Sequence, residues 1–412
     1  MVRLRSARLL LLIILAAWAA GILTILTHTV FVSNDSVSNY AHVWFISETL
    51  STTHWLPYHF PEIGHGEALA YPYAFVPWTS AALLHPLLGD WVTTLWLVLG
   101  AVGVIAGAWW AFPEVRSPLA FSAVLANPML VESLILAQLP FLWATAMLFS
   151  AVACWRRGRT AWAVILMGLA QGSHPAVVLP LAGLLVLVWL RFEPRPRRLV
   201  ASYACSVALS LPGVALVFLS PVVSDSGLGS ALAVFIGTVA ARLPVVFGPV
   251  LVAWLALHRR RWLPATVAAA LALNLILIPV RDTTYAWGAL VRDPDESLLP
   301  FIESPKFERG AVYRIMRSRD GKVGMYQLLT HGARLDSEFF PESFARHSFA
   351  SPDAYRVLLR ERGIDYVLIY RLFDERERTN EHALLDTLVT SGCATRIEST
   401  DDFDAYAVTT CR

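Results

Sequence analysis

The chain has 412 residues, of which 56% are hydrophobic and only 16% charged, and its mean hydropathy is +0.54. A soluble domain runs near a quarter charged, so the composition excludes a wholly water-soluble protein and puts most of the chain in lipid. The formal net charge of +2 is no basis for a nucleic-acid partner. Lys306 and Lys322 are the only lysines among 33 basic residues, which reads as the codon usage of a GC-rich bacterial genome rather than as function.

Arg3, Arg5 and Arg8 precede an apolar run from Leu9 to Phe31. It is too long for a signal-peptide core and lacks a clear small-x-small cleavage site, so it reads as a membrane span. The following stretch, 32–90, contains no Lys or Arg. If a helix begins near its start, Asp35, Asn39 and His42 fall at i, i+4 and i+7 on one face. A carboxylate, an amide and an imidazole placed there could bind an acceptor hydroxyl and take its proton. Alternatively, Asp35 or Ser33 is an N-cap and His42 a satisfied polar residue. His59, Glu62, His65 and Glu67 then crowd into nine residues, with the content of a divalent-metal cluster but no standard ligand spacing. A hydrogen-bonded loop is the competing reading. From Tyr71 to Leu88 the chain is apolar but interrupted by Pro72, Pro77 and Pro86. This predicts an interfacial helix pair with Tyr71, Tyr73, Phe75 and Trp78 at headgroup depth.

Further apolar runs at 92–112, 118–131, 139–155, 161–171, 175–190, 199–220, 231–257 and 263–280 bring the expected number of spans to nine. Arginines after Phe112, Trp155, Leu190 and His258 alternate with stretches free of Lys and Arg at 127–138, 172–175 and 221–230. By the positive-inside rule the N-terminus is cytoplasmic and everything after Pro279 is external. Arg159 and Arg191 then lie on one side, and the residues between them are too few for two full helices through ~30 Å of hydrocarbon. Their turn at Gly172–Ser173–His174–Pro175 would sit below the outer surface, and the turn carrying Glu132 and Gln138 is similarly tight. Polar turns at that depth imply a cavity open to the outside; otherwise one of these stretches is a single broken span. Arg242 lies about 15 residues, roughly 22 Å, from the inner end of its run. It could face the cavity and hold a lipid phosphate, snorkel to the outer headgroups, or pair with Glu132.

From Arg281 the composition becomes that of a soluble α/β domain. Ala311–Met316, Val323–Leu329 and Ile364–Tyr370 read as strands, and Asn380–Val389 as a helix. A further helix, capped by Ser351–Pro352–Asp353, runs through Arg360. Cys393 to Cys411 reads as a hairpin turning at Asp402, which places the two cysteines opposite each other for a disulfide in an oxidising compartment. Cys154 and Cys205 fall in spans.

The arginine-rich N-terminus, the single span and the long external loop with an early acid resemble the GT-C-type membrane glycosyltransferases. So do the run Glu67-Ala68-Leu69-Ala70-Tyr71-Pro72-Tyr73-Ala74-Phe75, the short external turn with Glu132, and the appended segment Tyr355 to Ile369. The resemblance is architectural and covers most of the chain. It implies transfer of a sugar from a polyprenyl-phosphate donor to an envelope glycan or protein acceptor, often with a divalent ion, in a bacterial plasma membrane. Asp35 would be the base, Glu132 the second acid and Arg242 a donor-phosphate ligand, with His42 beside the base and Asn39 and His174 as substrate contacts. Asp35 is followed by Ser36 rather than another acid, and stands seven residues before His42 where a shorter spacing is common in that family. The alternative is a non-catalytic protein of the same fold that binds lipid-linked glycan or scaffolds envelope assembly. A transporter fits less well, because the spans lack paired inverted halves and midplane charges.

The orientation is open to direct test. A cysteine introduced near Asp90 or in 281–412 should react with an impermeant thiol reagent in intact cells, and one beside Arg157, Arg197 or Arg260 should not. Labelling beside Arg260 from outside would reverse the orientation.

Overall fold

A computed structural model describes residues 2–33, 36–57, 59–63, 68–69, 74–218, 228–280, 296–315, 319–336, 349–371 and 380–408. The chain forms two compact units, Met1–Tyr58 with Ala70–Arg292, and His59–Leu69 with Asp293–Arg412.

The first unit is helical: α1 (Val2–Leu26), α2 (Ser36–Thr53), α3 (Phe75–Leu88), α4 (Trp91–Ala111), α5 (Pro118–Leu125), α6 (Pro128–Ile135), α7 (Leu139–Arg156), α8 (Thr160–Ser173), α9 (Pro175–Leu190), α10 (Pro196–Phe218), α11 (Leu228–His258) and α12 (Leu263–Val280). Among the described residues four helices are long and apolar enough to cross a membrane: Arg5–Leu26, Trp91–Ala111, Leu139–Arg156 and Val239–His258. The bent pair α5–α6 makes a fifth if it acts as one span. The protein is therefore a multi-pass membrane protein with four or five candidate spans plus shorter apolar helices.

The run expected to cross at 118–131 is broken by a 43° bend. The cause is the Asn127–Pro128 pair. A residue before proline is pushed out of the α region, and the Asn127 side chain accepts from Met129 N–H at 3.1 Å, starting a new helix. With 14 and 16 residues, α8 and α9 reach only about 21 and 24 Å, short of the ~30 Å hydrocarbon layer.

The expected interfacial pair at 71–88 is instead one helix, α3, over its described part. Pro77 falls in its first turn, where the missing N–H costs least, whereas Pro86 lies inside the helix and leaves the Ala82 carbonyl without its i+4 donor. One face of α3 is buried, Trp78 with it, while Leu83 and Leu87 point outward. Tyr71 and Tyr73 lie outside the described residues.

A glycine seam joins α4 to α7. A Cβ at Gly100 would meet Trp143 Cδ1 at 2.9 Å, and one at Gly103 or Gly107 would come within 3.0 Å of the Ala146 or Phe149 Cβ. Small residues at this spacing let helix backbones approach where no hydrophobic force separates protein from lipid. At one end of the unit the arginine-bearing turns gather. Arg157 donates to the Trp110 carbonyl at 3.0 Å, and Arg156 forks onto Glu114.

In the second unit, β3 (Val312–Ile315), β4 (Arg334–Leu335), β5 (Tyr366–Tyr370), β6 (Thr395–Ser399) and β7 (Phe403–Ala407) form a sheet in the order β4-β3-β5-β7-β6. The first three strands are mutually parallel, and β7 and β6 antiparallel. Helices α13 (Arg319–Thr330), α14 (Pro352–Glu361) and α15 (Glu381–Thr390) connect them. The strand expected at 323–329 belongs to α13. A short apolar run does not distinguish strand from buried helix, and Met325, Leu328 and Leu329 are buried together at helical spacing. Ser351 caps α14 as expected, accepting from Ala354 N–H at 3.2 Å.

Sequence reading did not anticipate that His59–Leu69 joins this unit. The strands β1 (His59–Phe60) and β2 (Ala68–Leu69) pair with each other, and Ile63 bridges to Leu335. The edge of β4 is thereby covered. The hairpin β6–β7 forms where predicted, with a register shift at Ile397. Cys393 is disulfide-bonded and Cys154 and Cys205 are free; Cys411, the expected partner of Cys393, lies outside the described residues.

Beneath the sheet lies a buried charge network. Arg314 forks onto Glu381 at 2.6 and 3.0 Å and reaches Asp336 at 2.8 Å, while Tyr355 donates to Glu381 at 3.0 Å. Burial alone would lower the Arg314 pKa, but Glu381 first and Asp336 next hold it well above its ordinary value. Arg314→Met should cost the unit about 3–5 kcal/mol by leaving two carboxylates buried without their cation. Denaturant titration of the full-length protein in detergent would show this, and adding Glu381→Gln and Asp336→Asn should recover most of the loss.

Candidate functional site

The N-terminus of α2 is locked against the turn between α6 and α7. Ser33 Oγ donates to the Ile135 carbonyl, so Ser33 is engaged there rather than as the side-chain cap of α2. Its own N–H donates to Ser36 Oγ at 2.6 Å. Asn34 and Asp35 lie outside the described residues, so the convergence expected of Asp35, Asn39 and His42 is resolved only for the latter two.

Asn39 is 3% exposed and uses both ends of its amide. Nδ2 donates to the Ala137 carbonyl at 3.0 Å, and Oδ1 accepts from Trp78 Nε1 at 2.9 Å. His42 stacks on the Trp78 ring with centroids 4.1 Å apart and 15° between planes. Its Nδ1 donates to the Ser38 carbonyl at 2.7 Å. Trp78 thus holds Asn39 and His42 together.

Two non-glycine residues here adopt left-handed backbone, Ala137 at φ 55° and Ala74 at φ 53°, at a cost of roughly 1–2 kcal/mol each. Both are tied down. Ala137 accepts from Asn39, and Ala74 N–H donates to the Ser173 carbonyl at 3.0 Å. Strain of this kind concentrates where surrounding structure over-determines a functional geometry.

One turn into α7, Phe141 is the meeting point of two other predicted residues. The Arg242 guanidinium carbon lies 5.6 Å from the Phe141 ring centroid, and the His174 ring meets Phe141 edge-on at 6.0 Å. Glu132 sits on α6, whose N-cap Asn127 donates to the Pro244 carbonyl two residues beyond Arg242. Thr145 follows Phe141 by four residues on α7 and so continues the face that carries its ring, while Gln171 and Ser173 lie in the last turn of α8, just before His174. The Gln171 amide and the Thr145 and Ser173 hydroxyls are buried with no hydrogen-bond partner among the described residues. Buried polar groups are rarely left so, and such groups are available to a hydroxylated ligand. Sequence reading passed over Gln171, Thr145, Phe141 and Trp78. Gln171 was detectable as a lone amide in an apolar run, whereas Trp78 looked like any interfacial aromatic.

Among the described residues no three of His, Cys, Asp and Glu gather as metal ligands. His65 and Glu67 lie outside them. His59 is exposed on β1, and Glu62 is tied to the sheet edge by its carbonyl, which accepts from Leu335 N–H at 2.6 Å. Burial raises the Glu62 carboxyl above its ordinary 4.5, with a hydrogen bond from its own backbone and the charge of Arg334 opposing. The destabilisation this causes is absent below pH 4.5 and complete once pH passes the raised value. Glu62→Gln should therefore leave the melting temperature unchanged near pH 4 and raise it at pH 7, by no more than about 2 °C. A difference independent of pH would show that ionisation is not involved.

No protein family matches this chain, and no curated protein sequence matches it either.

Proposed function

We propose that the protein is a membrane glycosyltransferase of GT-C type that moves a sugar from a polyprenyl-phosphate donor to an extracytoplasmic envelope acceptor. The supporting observation is the chemistry gathered around Phe141. A guanidinium suits phosphate oxygens, and the uncommitted amide and hydroxyls of Gln171, Ser173 and Thr145 suit a polyol. Asp35, which precedes Ser36 in the sequence, would deprotonate the acceptor. His42 and Asn39 would shape that corner, Glu132 would be the second acid, and a divalent ion could join them. The reading carries with it nine crossings, a cytoplasmic N-terminus and an external C-terminal domain in a bacterial plasma membrane.

A specific observation favours a second reading, a non-catalytic protein that binds lipid-linked glycan or scaffolds envelope assembly. Asn39 and His42 are packed and hydrogen-bonded as structural residues would be.

Two substitutions separate these readings, with a radiolabelled polyprenyl-phosphate monosaccharide as probe. Asp35→Asn keeps a capping oxygen but not basicity, so catalysis by Asp35 predicts normal abundance, retained donor binding and transfer reduced about 10²–10⁴-fold. Full transfer by Asp35→Asn would move the assignment to the binding protein. Arg242→Lys should weaken donor binding without loss of protein, because it keeps charge but loses the planar fork. Unchanged affinity in both Arg242→Lys and Arg242→Ala would leave Arg242 as a snorkelling residue.

A further inference from the structure

At the arginine-bearing end of the helical unit, away from Phe141, a shallow apolar groove runs between α7, α8, α9 and α10. Val152, Trp155, Met167, Leu185, Trp189 and Tyr203 line it. It has little polar character, since the Ser206 hydroxyl on its wall already donates to the Tyr203 carbonyl. The surface around it is exposed and apolar, with Trp162 60%, Leu187 63% and Leu209 59% accessible, as befits a face solvated by lipid chains.

The two tryptophans that close one end of the groove carry cations. The Arg198 guanidinium carbon lies 5.9 Å from the Trp155 ring centroid, and that of Arg156 lies 5.8 Å from the Trp189 centroid. Between residues 156 and 198 there are seven arginines against one carboxylate, Glu193. Glu193 accepts from Trp155 Nε1 at 2.9 Å, and Arg156 is held by Glu114. The guanidinium of Arg198 donates to the Thr160 hydroxyl, and neither it nor that of Arg195 has a carboxylate partner among the described residues.

An apolar channel for a chain, ending under exposed arginines stacked on its own tryptophans, has complementarity for one kind of molecule. We propose that this groove is a binding site for an anionic phospholipid, with an acyl chain along Val152, Met167 and Leu185 and the headgroup phosphate on Arg198 and Arg195. Basic pockets between helices at a membrane surface hold such headgroups, each arginine contributing about a fivefold preference over a neutral lipid. A zwitterionic lipid fills the same groove but keeps its own cation beside the phosphate, and so loses most of that preference.

The test uses the full-length protein in phosphatidylcholine bilayers, titrated with phosphatidylglycerol or phosphatidylcholine brominated on the acyl chains. Quenching by each lipid is read as the difference between wild type and the Trp155→Phe/Trp189→Phe variant. Brominated phosphatidylglycerol should quench at several-fold lower mole fraction, and the preference should shrink in high salt. Arg195→Ala/Arg198→Ala, both at exposed positions, should remove most of that preference. Ala163→Phe, which fills the groove without altering charge, should abolish the quenching by either lipid. Equal quenching by the two lipids in wild type, or a preference unchanged in the arginine variant, overturns the site. Quenching that survives Ala163→Phe overturns it as well, by showing that the arginines attract lipid without any built groove.

Discussion

The close approach of α4 and α7 is the constraint on which the helical unit depends. With Gly100, Gly103 and Gly107 facing Trp143, Ala146 and Phe149, the two backbones meet where a single methyl group would push them apart. That contact fixes the axis of α7, and α7 carries Phe141 and Thr145 in the same turns as Trp143 and Ala146. In lipid such close packing substitutes for hydrophobic collapse, since a helix gains little by exchanging lipid neighbours for protein ones. Trp143 reinforces the seam by donating to the Trp96 carbonyl at 2.8 Å.

The polar end of the unit is organised differently. Its order comes from side chains bonding to backbone at turns: Ser33 to Ile135, Asn39 to Ala137, Asn127 to Pro244. Ser33 satisfies a carbonyl at the end of α6, Asn39 ties α2 to the turn after it, and Asn127 ties the start of α6 to the interior of α11. The result sets the ends of the short helices α6, α8 and α9 beside Phe141 and Arg242, which themselves lie on two of the candidate spans. Non-helical backbone within an apolar unit is tolerable only where protein groups satisfy it, and here one of those groups, Asn39, belongs to the residues proposed to carry function.

The second unit follows a separate logic. An Arg–Glu–Asp network beneath its sheet is costly to desolvate and costly to disrupt, so it specifies one packing of β3, β4 and α15 more than it adds stability. The excursion His59–Leu69 covers an exposed strand edge through Ile63 and Leu335. A segment dense in histidine and carboxylate thereby contributes backbone hydrogen bonds to a sheet.

The sequence by itself determined the class. Low charge and long apolar runs demand lipid, the change of composition after Val280 points to a second, α/β unit, and Ser351 and the hairpin before Val408 were legible because caps and turns are local. Arg242 and His174 were also legible, because polar residues within apolar runs carry a cost that invites a reason. Other features required tertiary structure. Whether 323–329 became strand or helix depended on partners that periodicity over seven residues cannot reveal. The bend at Asn127 was local chemistry, but Trp78 came to bridge Asn39 and His42 because α3 packs on α2, a contact between distant segments. The membership of His59–Leu69 in the C-terminal unit rests on the pairing of Glu62 and Ile63 with Leu335, far along the chain. Such pairings are set by the free energy of covering a sheet edge and leave no periodic or compositional mark on the chain.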